Sequence, residues 1–174
     1  IHHPINDVST FEIGQELVCT IDIDRRNSLA ITHTAQHIVS AMANELWDAT
    51  TVGNQLGKKE SRIDLLFEDK TKFTQQVIQD NVNEILGTNT RVSVANWTAD
   101  EILSDDRVRN RSFVSRILER LPSHVEHMRV VNIEGIDICP CAGSHVDNLS
   151  QLPQIEITRI KQKGAGKIRL YYSM

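Results

Sequence analysis

The spacing of hydrophobic and polar positions changes several times along the chain, and each change marks an element. Leu17, Cys19, Ile21 and Ile23 alternate with Val18, Thr20, Asp22 and Asp24. A period of two predicts a strand, with turns at Pro4 and Gly14 on its N-terminal side. Over 29–47 the period lengthens: Ile31, Ala35, Ile38, Val39, Met42 and Leu46 recur at spacings of three and four. That predicts an amphipathic helix capped by Asn27 or Ser28. Residues 53–59 read as a polar loop, and 61–67 as a strand with Ile63, Leu65 and Phe67 on one face. A second helix is expected over 74–86, stopped by Gly87. A β-branched strand over 90–97, short helices within 99–120 and a short strand over 130–133 follow. A loop over 135–148 precedes a hairpin of 155–161 and 167–172 around Gly164-Ala165-Gly166.

This order predicts an α+β fold, a two-layer sandwich with helices on one face of a mixed or antiparallel sheet. The length of 174 residues suits one domain with a small appendage. The expected division is a β segment over 1–26 and a main domain over 27–174.

Composition narrows the function classes. Apolar residues are 40% and charged residues 24%, which excludes disordered, collagenous and coiled-coil chains. No apolar run reaches the roughly 18 residues of a membrane-spanning helix, and the opening Ile-His-His-Pro is not a signal peptide. Three cysteines without an export signal point to a reducing compartment, the cytoplasm, rather than to a disulfide framework. The net charge of −4 is uneven: residues 157–174 carry +5 and the remainder −9. A generally basic nucleic-acid binder is thereby excluded. The basic strip serves either as a phosphate contact or as a charged strand in solvent.

Two constellations carry chemistry. His33 and His37 stand four apart on the expected helix, so both imidazoles share one face and can meet one metal ion. Thr34 stands where zinc proteases place their Glu, so the protease motif is not present. On the helical wheel both histidines point away from the apolar stripe, beside Ser40 and Asn44, and solvent exposure is the plainer expectation. The second constellation is Cys139-Pro-Cys141-Ala-Gly-Ser-His145. A thiolate and an imidazole four apart in a Gly-containing loop can converge on zinc. Together His33, His37, Cys141 and His145 complete a four-ligand set, with Cys139 as a possible competitor.

His-Thr-Ala-Gln-His followed about a hundred residues later by Cys-Ala-Gly-Ser-His resembles the editing domain of alanyl-tRNA synthetase. It resembles still more the free-standing AlaX-type alanyl-tRNA editing proteins. The likeness takes in His2-His3-Pro4, Ser61 to Asp64, Gly135 to Ile138 and the Lys-Gly-Ala-Gly-Lys turn, and so most of the chain. The family loop usually reads Cys-Gly-Gly-Thr-His; Ala142 and Ser144 depart from it here. The Gly-rich segment that precedes His-His-Pro in longer members is not within these residues.

The resemblance implies a fold like the threonyl- and alanyl-tRNA synthetase editing domains, with 1–26 as part of a small β subdomain and 27–174 as the zinc-binding editing domain. It implies hydrolysis of mischarged Ser-tRNA(Ala), and of Gly-tRNA(Ala), at a zinc held by His33, His37, Cys141 and His145. Such editing has a physical motive, because one hydroxyl more or one methyl less cannot be rejected strongly in a single binding step. Thr34, Gln36, Gln55 and Ser144 are candidate substrate contacts. Lys58, Lys59, Lys161, Lys163 and Lys167 are candidate contacts to the tRNA(Ala) acceptor end. Neither a membrane nor a protein partner is implied, and no Ser-His-Asp arrangement can be argued. Two alternatives remain: a structural zinc or tRNA-binding module without catalysis, and a metallohydrolase acting on a small ester.

Overall fold

The computed structural model describes residues 10–57, 59–109, 111–122 and 124–174. A 25-residue helix, α1 (Ile23–Trp47), is the central element. It begins six residues before the expected start. Its cap is Asp22, whose carboxylate accepts from the Arg25 N–H at 2.9 Å; neither Asn27 nor Ser28 caps it. It ends at Asp48, which adopts a left-handed conformation and donates its N–H to the Ala43 and Asn44 carbonyls.

The chain then forms β1 (Thr50–Gln55), β2 (Ser61–Leu66), α2 (Gln75–Ile85), β3 (Val92–Thr98), α3 (Ala99–Ser104), α4 (Arg111–Leu118), β4 (His127–Ile133), β5 (Asp137–Pro140), β6 (Glu156–Gln162) and β7 (Lys167–Ser173). The class is α+β, as expected, but the strands form two sheets, ordered β1-β2-β7-β6 and β3-β4-β5. Every ladder is antiparallel. The parallel contact is an isolated bridge between Val108 and Ile138.

In the four-stranded sheet, Ile63 and Leu65 of β2 and Ile168, Leu170 and Tyr172 of β7 face inward and are fully buried. They meet Ala35, Ile38, Val39 and Met42 of α1 and Ile78 and Val82 of α2 in one core. Gly87, at φ +83°, turns the chain out of α2 in a conformation that side chains resist. A smaller core of Ile102, Val108, Val114, Val130 and Ile138 lies between α3, α4 and the three-stranded sheet.

Three expectations are corrected. Residues 10–22 form no strand, and α1 takes Ile23 and Asp24. Alternation alone does not make a strand, because its N–H and C=O groups need a partner backbone, and none of the described ladders supplies one. Ile13 and Val18 are fully exposed as a result. The polar stretch expected as a loop over 53–59 contributes half of β1, paired to β2 with a bulge between Thr51 and Gly53. The expected loop over 135–148 opens with the short strand β5.

Candidate metal centre

The side of α1 that carries the histidines is not exposed. Nearly every residue from Ala30 to Ala43 is buried, polar ones included, and His37 retains 4% exposure. One side of the helix packs on the apolar core, and β5 with the loop after it approaches the other. The wheel separates apolar from polar positions correctly, but this polar side faces other protein polar groups.

The loop after β5 brings Cys141 and His145 over His33 and His37. The four ligand atoms lie within 4.8 Å of one another. Cys141 Sγ is 3.6 Å from His33 Nε2 and 3.5 Å from His145 Nε2. Zn–S and Zn–N bonds of about 2.3 and 2.05 Å at the tetrahedral angle place sulfur and nitrogen ~3.5 Å apart. The three rings converge, with centroids 4.3–5.1 Å apart. The set of three nitrogens and one sulfur therefore fits zinc in chemistry and in spacing.

Each histidine is held from behind through Nδ1. His37 Nδ1 lies 2.8 Å from a carboxylate oxygen of Asp137. His33 Nδ1 lies 3.3 Å from the Ser144 carbonyl. These partners only accept, so Nδ1 carries the proton in both rings and Nε2 keeps its lone pair. His145 Nδ1 lies 3.1 Å from the Thr34 hydroxyl, which donates to the Ala30 carbonyl at 2.9 Å and accepts from the Val146 N–H at 3.3 Å. With its proton committed to Ala30, the Thr34 oxygen accepts from His145 as well. All three rings thus present Nε2 to the same point, the arrangement in which outer partners fix metal-binding histidines.

Asp137 is buried and is gripped from its other side by Arg109, with Nε–Oδ1 at 2.8 Å and a second contact at 3.0 Å. Burial alone would raise the Asp137 pKa, but the hydrogen bonds from His37 and Arg109 hold it below the usual carboxylate value. Burial opposes charge on His37, yet its hydrogen bonds to Asp137 and Cys141 prevail and raise its pKa above 6.5. At Cys141 burial opposes the thiolate, and in the metal-free centre a proton carried on an Nε2 facing the sulfur, together with the Gly143 N–H, outweighs it and lowers the pKa to about 3. Cys139 is the opposite case: burial pushes it up to about 12. Its sulfur lies outside the four-atom cluster and bonds weakly to the Pro140 carbonyl. The two neighbouring thiols are thus sorted by environment.

The ligand loop is itself held. Arg129 donates to the Cys141 and Gly143 carbonyls at 2.6 and 2.8 Å. A Cβ on Gly143 would stand 2.2 Å from His33 Cε1 and 2.4 Å from Nδ1. The steric constraint in this loop therefore falls on Gly143, and the departure at neighbouring Ala142 leaves ligand convergence intact.

The other expected contacts are dispersed. Thr34 is fully buried and supports His145, so it presents no open face. Gln36 is buried too. It donates to Ser40 at 2.8 Å and accepts from Asn54 at 3.2 Å, while Ser40 meets Thr51 at 2.8 Å. The β1 bulge makes this possible by turning both Thr51 and Asn54 toward α1. Gln55 lies on the other face of the sheet, accepting from Arg62 at 2.9 Å. Ser144 touches the centre through its carbonyl. Lys58, with His2-His3-Pro4, lies outside the described residues, and Lys59 is exposed. Lys161 and Lys167 project from the sheet face turned away from α1, as do Arg169 and Tyr171, and Lys163 follows β6 in the turn. On that face Arg169 is paired in two places with Asp64, at 2.6 and 2.7 Å, and Arg159 with Glu60 at 3.1 Å. Arg159 also lies 3.8 Å over the Tyr171 ring. Among the described residues no ion pair within 4 Å holds Lys161, Lys163 or Lys167, and Lys161 Nζ lies 5.9 Å from the centre of the Tyr171 ring.

Comparison with known proteins agrees with this geometry. The family described as "Threonyl and Alanyl tRNA synthetase second additional domain" matches residues 128–171, which include Cys141 and His145. Alanyl-tRNA editing protein AlaX-M of Saccharolobus solfataricus is 27% identical over 174 residues, covering 100% of this chain and 70% of the relative. AlaX-M of Methanosarcina mazei is 32% identical over 168 residues, 94% of this chain and 63% of the relative. The chain is similar along nearly its whole length to AlaX-type alanyl-tRNA editing proteins. Alanyl-tRNA editing protein Aarsd1 of Mus musculus is 31% identical over 160 residues, 91% of this chain but 37% of the relative. The chain thus spans about two thirds of the archaeal AlaX-type relatives and little more than a third of the mammalian one. Among the described residues no helix is long and apolar enough to cross a membrane.

Asp137 and Arg109, which stand behind His37, are the residues of the candidate centre that pattern reading missed. Asp137 had a signal, since it lies inside Gly135–Ile138, one of the stretches that carry the family likeness. Arg109 had none; it sits between two short helices in a stretch of weak periodicity.

Proposed function

We propose that this chain removes serine, and glycine, from mischarged tRNA(Ala) by hydrolysing the aminoacyl ester at a zinc centre. The convergence of His33, His37, Cys141 and His145 on one point, in a chain of this family, carries the reading. Zinc, when bound, supplies a Lewis acid that favours ester hydrolysis at neutral pH. The residues of the chain do the rest. Asp137, the Ser144 carbonyl and Thr34 keep the three Nε2 lone pairs turned inward. The environment of Cys141 favours the ionised sulfur, the form that binds metal. Arg129 fixes the loop that presents Cys141 and His145.

The tRNA is held through phosphates, which give affinity without reading bases. Lys161, Lys163 and Lys167 are assigned that contact, assisted by Lys58 and Lys59. Because Lys161 and Lys167 lie on the sheet face opposite α1, they would hold RNA away from the bond being cleaved. Of the expected substrate contacts Ser144, beside His33, keeps that assignment; Gln36 is buried against Ser40 and Asn54 and Gln55 lies on the other sheet face, so neither is assigned to the substrate. We place the reaction in the cytoplasm, consistent with three free cysteines; the expected boundary at 26/27 falls inside α1, so a separate N-terminal segment would end before Ile23.

A second reading has an observation of its own. Four protein donors complete a tetrahedron, which is the pattern of a structural zinc. Deacylation of Ser-tRNA(Ala), with and without a zinc chelator and beside Ala-tRNA(Ala), separates the two. Chelator-sensitive loss of serine with alanine spared is the expected result. Stoichiometric zinc with no hydrolysis above background would make the centre structural.

A further inference from the structure

Arg109 is far in sequence from every ligand, yet it reaches the back of the metal centre. It lies between α3 and α4, a stretch that packs its own small core against the three-stranded sheet. That stretch is joined to β5 at the backbone by the Val108–Ile138 bridge, in which the Arg109 N–H donates to the Ile138 carbonyl at 3.2 Å. These contacts deliver the guanidinium to Asp137. There it makes a two-pronged contact, 2.8 and 3.0 Å, with a carboxylate whose side chain has no exposed surface. The same carboxylate accepts from His37 Nδ1 at 2.8 Å.

We infer that Arg109 is a positioning residue for the metal centre, and that the α3–α4 excursion serves to place it. The inference rests on the metal-binding part of the proposed function and does not depend on the RNA substrate. Its physical basis is geometric. A carboxylate can rotate about its bond to Cβ and present either oxygen or neither to His37. A planar guanidinium that bonds both oxygens removes that freedom, which a point charge does not. Asp137 held in one plane offers one acceptor direction, and His37 can satisfy it with one ring orientation. Of the three histidines, His37 alone is supported by a charged group. It is also the most buried ligand, with the least room to recover if its support shifts. A purely structural ion pair would stabilise the α3–α4 junction and leave zinc affinity unchanged.

Zinc affinity of the purified protein, read by competition with a chromophoric chelator, tests this independently of deacylation. The visible spectrum of the cobalt(II)-substituted protein reports ligand geometry beside it. Loss of a partner behind a metal-binding histidine weakens binding by about 10- to 100-fold. Arg109→Met should show that loss with a changed cobalt spectrum, and Arg109→Lys, which keeps the charge without the fork, should recover only part of it. Arg109→Met leaves a buried carboxylate without its cation and can unfold the protein. Arg109→Lys keeps a cation beside that carboxylate, so it carries the test if Arg109→Met does not fold. Weakened zinc binding and a changed cobalt spectrum in folded Arg109→Lys support positioning. Wild-type affinity and cobalt spectrum in either folded variant overturn it. A protein that binds zinc as expected in this series but fails to deacylate Ser-tRNA(Ala) would refute the proposed function and leave the role of Arg109 standing.

Discussion

Gly143→Ala offers the sharpest test of the metal centre. The new methyl would be placed 2.2 Å from His33 Cε1 and 2.4 Å from Nδ1. Ordinary carbon contacts need roughly 3.5–4.0 Å, so one partner must move by more than about 1 Å. Zinc–ligand distances tolerate about 0.2 Å. The loop cannot easily give way, because Arg129 holds the carbonyls of Cys141 and Gly143. His33 is therefore the partner that leaves, and its bond to the Ser144 carbonyl goes with it. A structural zinc site is worth about 10–16 kcal/mol, so one ligand in four carries about 2.5–4 kcal/mol. The expected loss of zinc affinity is two to three orders of magnitude. Competition against a chelator of known affinity measures it. His33→Ala should show a similar loss, and the double variant should be little worse than either single one, since both remove the same ligand. Zinc affinity within about threefold of the unsubstituted protein would refute the reasoning, showing that the loop shifts without disturbing His33.

Other predictions concern the groups around the centre. Thr34→Val removes the acceptor for His145 and leaves the buried Val146 N–H without a partner; a stability loss of about 1–3 kcal/mol in urea unfolding is expected, with Thr34→Ser close to wild type. The raised pKa of His37 makes its proton a stabilising one in the zinc-free protein, fully effective below the unfolded value near 6.5 and lost as pH rises through the folded value. Zinc must displace that proton, so the rise in melting temperature on adding zinc should grow with pH across this window; a rise independent of pH would contradict the assignment. Replacing Lys161, Lys163 and Lys167 together by Gln should weaken tRNA binding and flatten the dependence of log K on log salt by roughly 0.7–0.9 per lost phosphate contact. An unchanged slope would remove the basic strip from the interface.

What could be read from the sequence divides along physical lines. The four residues that converge in the candidate metal centre were legible because metal chemistry restricts residue type and because four-residue spacing on a helix, or in a tight loop, leaves few geometries. The strands with one apolar face, β2 and β7, and the helix α2 were legible for the same reason of regular spacing. β1 was not, because its inward residues Thr51 and Asn54 are polar and a bulge shifts their alternation. The burial of His37 was hidden because a helical wheel cannot tell water from a polar interior. Asp137 and Arg109 act through partners 100 and 28 positions away, which no local window contains.

His33 and Cys141 are 108 positions apart, so a metal ion joining them closes a loop over more than half of the chain. In topological terms the ion is a cross-link. In the chain-entropy model, tying a loop of about 100 residues lowers the freedom of the unfolded state by roughly 4.7 kcal/mol. The segment enclosed between the two ligands holds α2, both helices of the small core and, among the described residues, the five strands β1 to β5. Binding the ion would therefore draw the two hydrophobic cores into one cooperative unfolding unit, and its loss would let the smaller core open first.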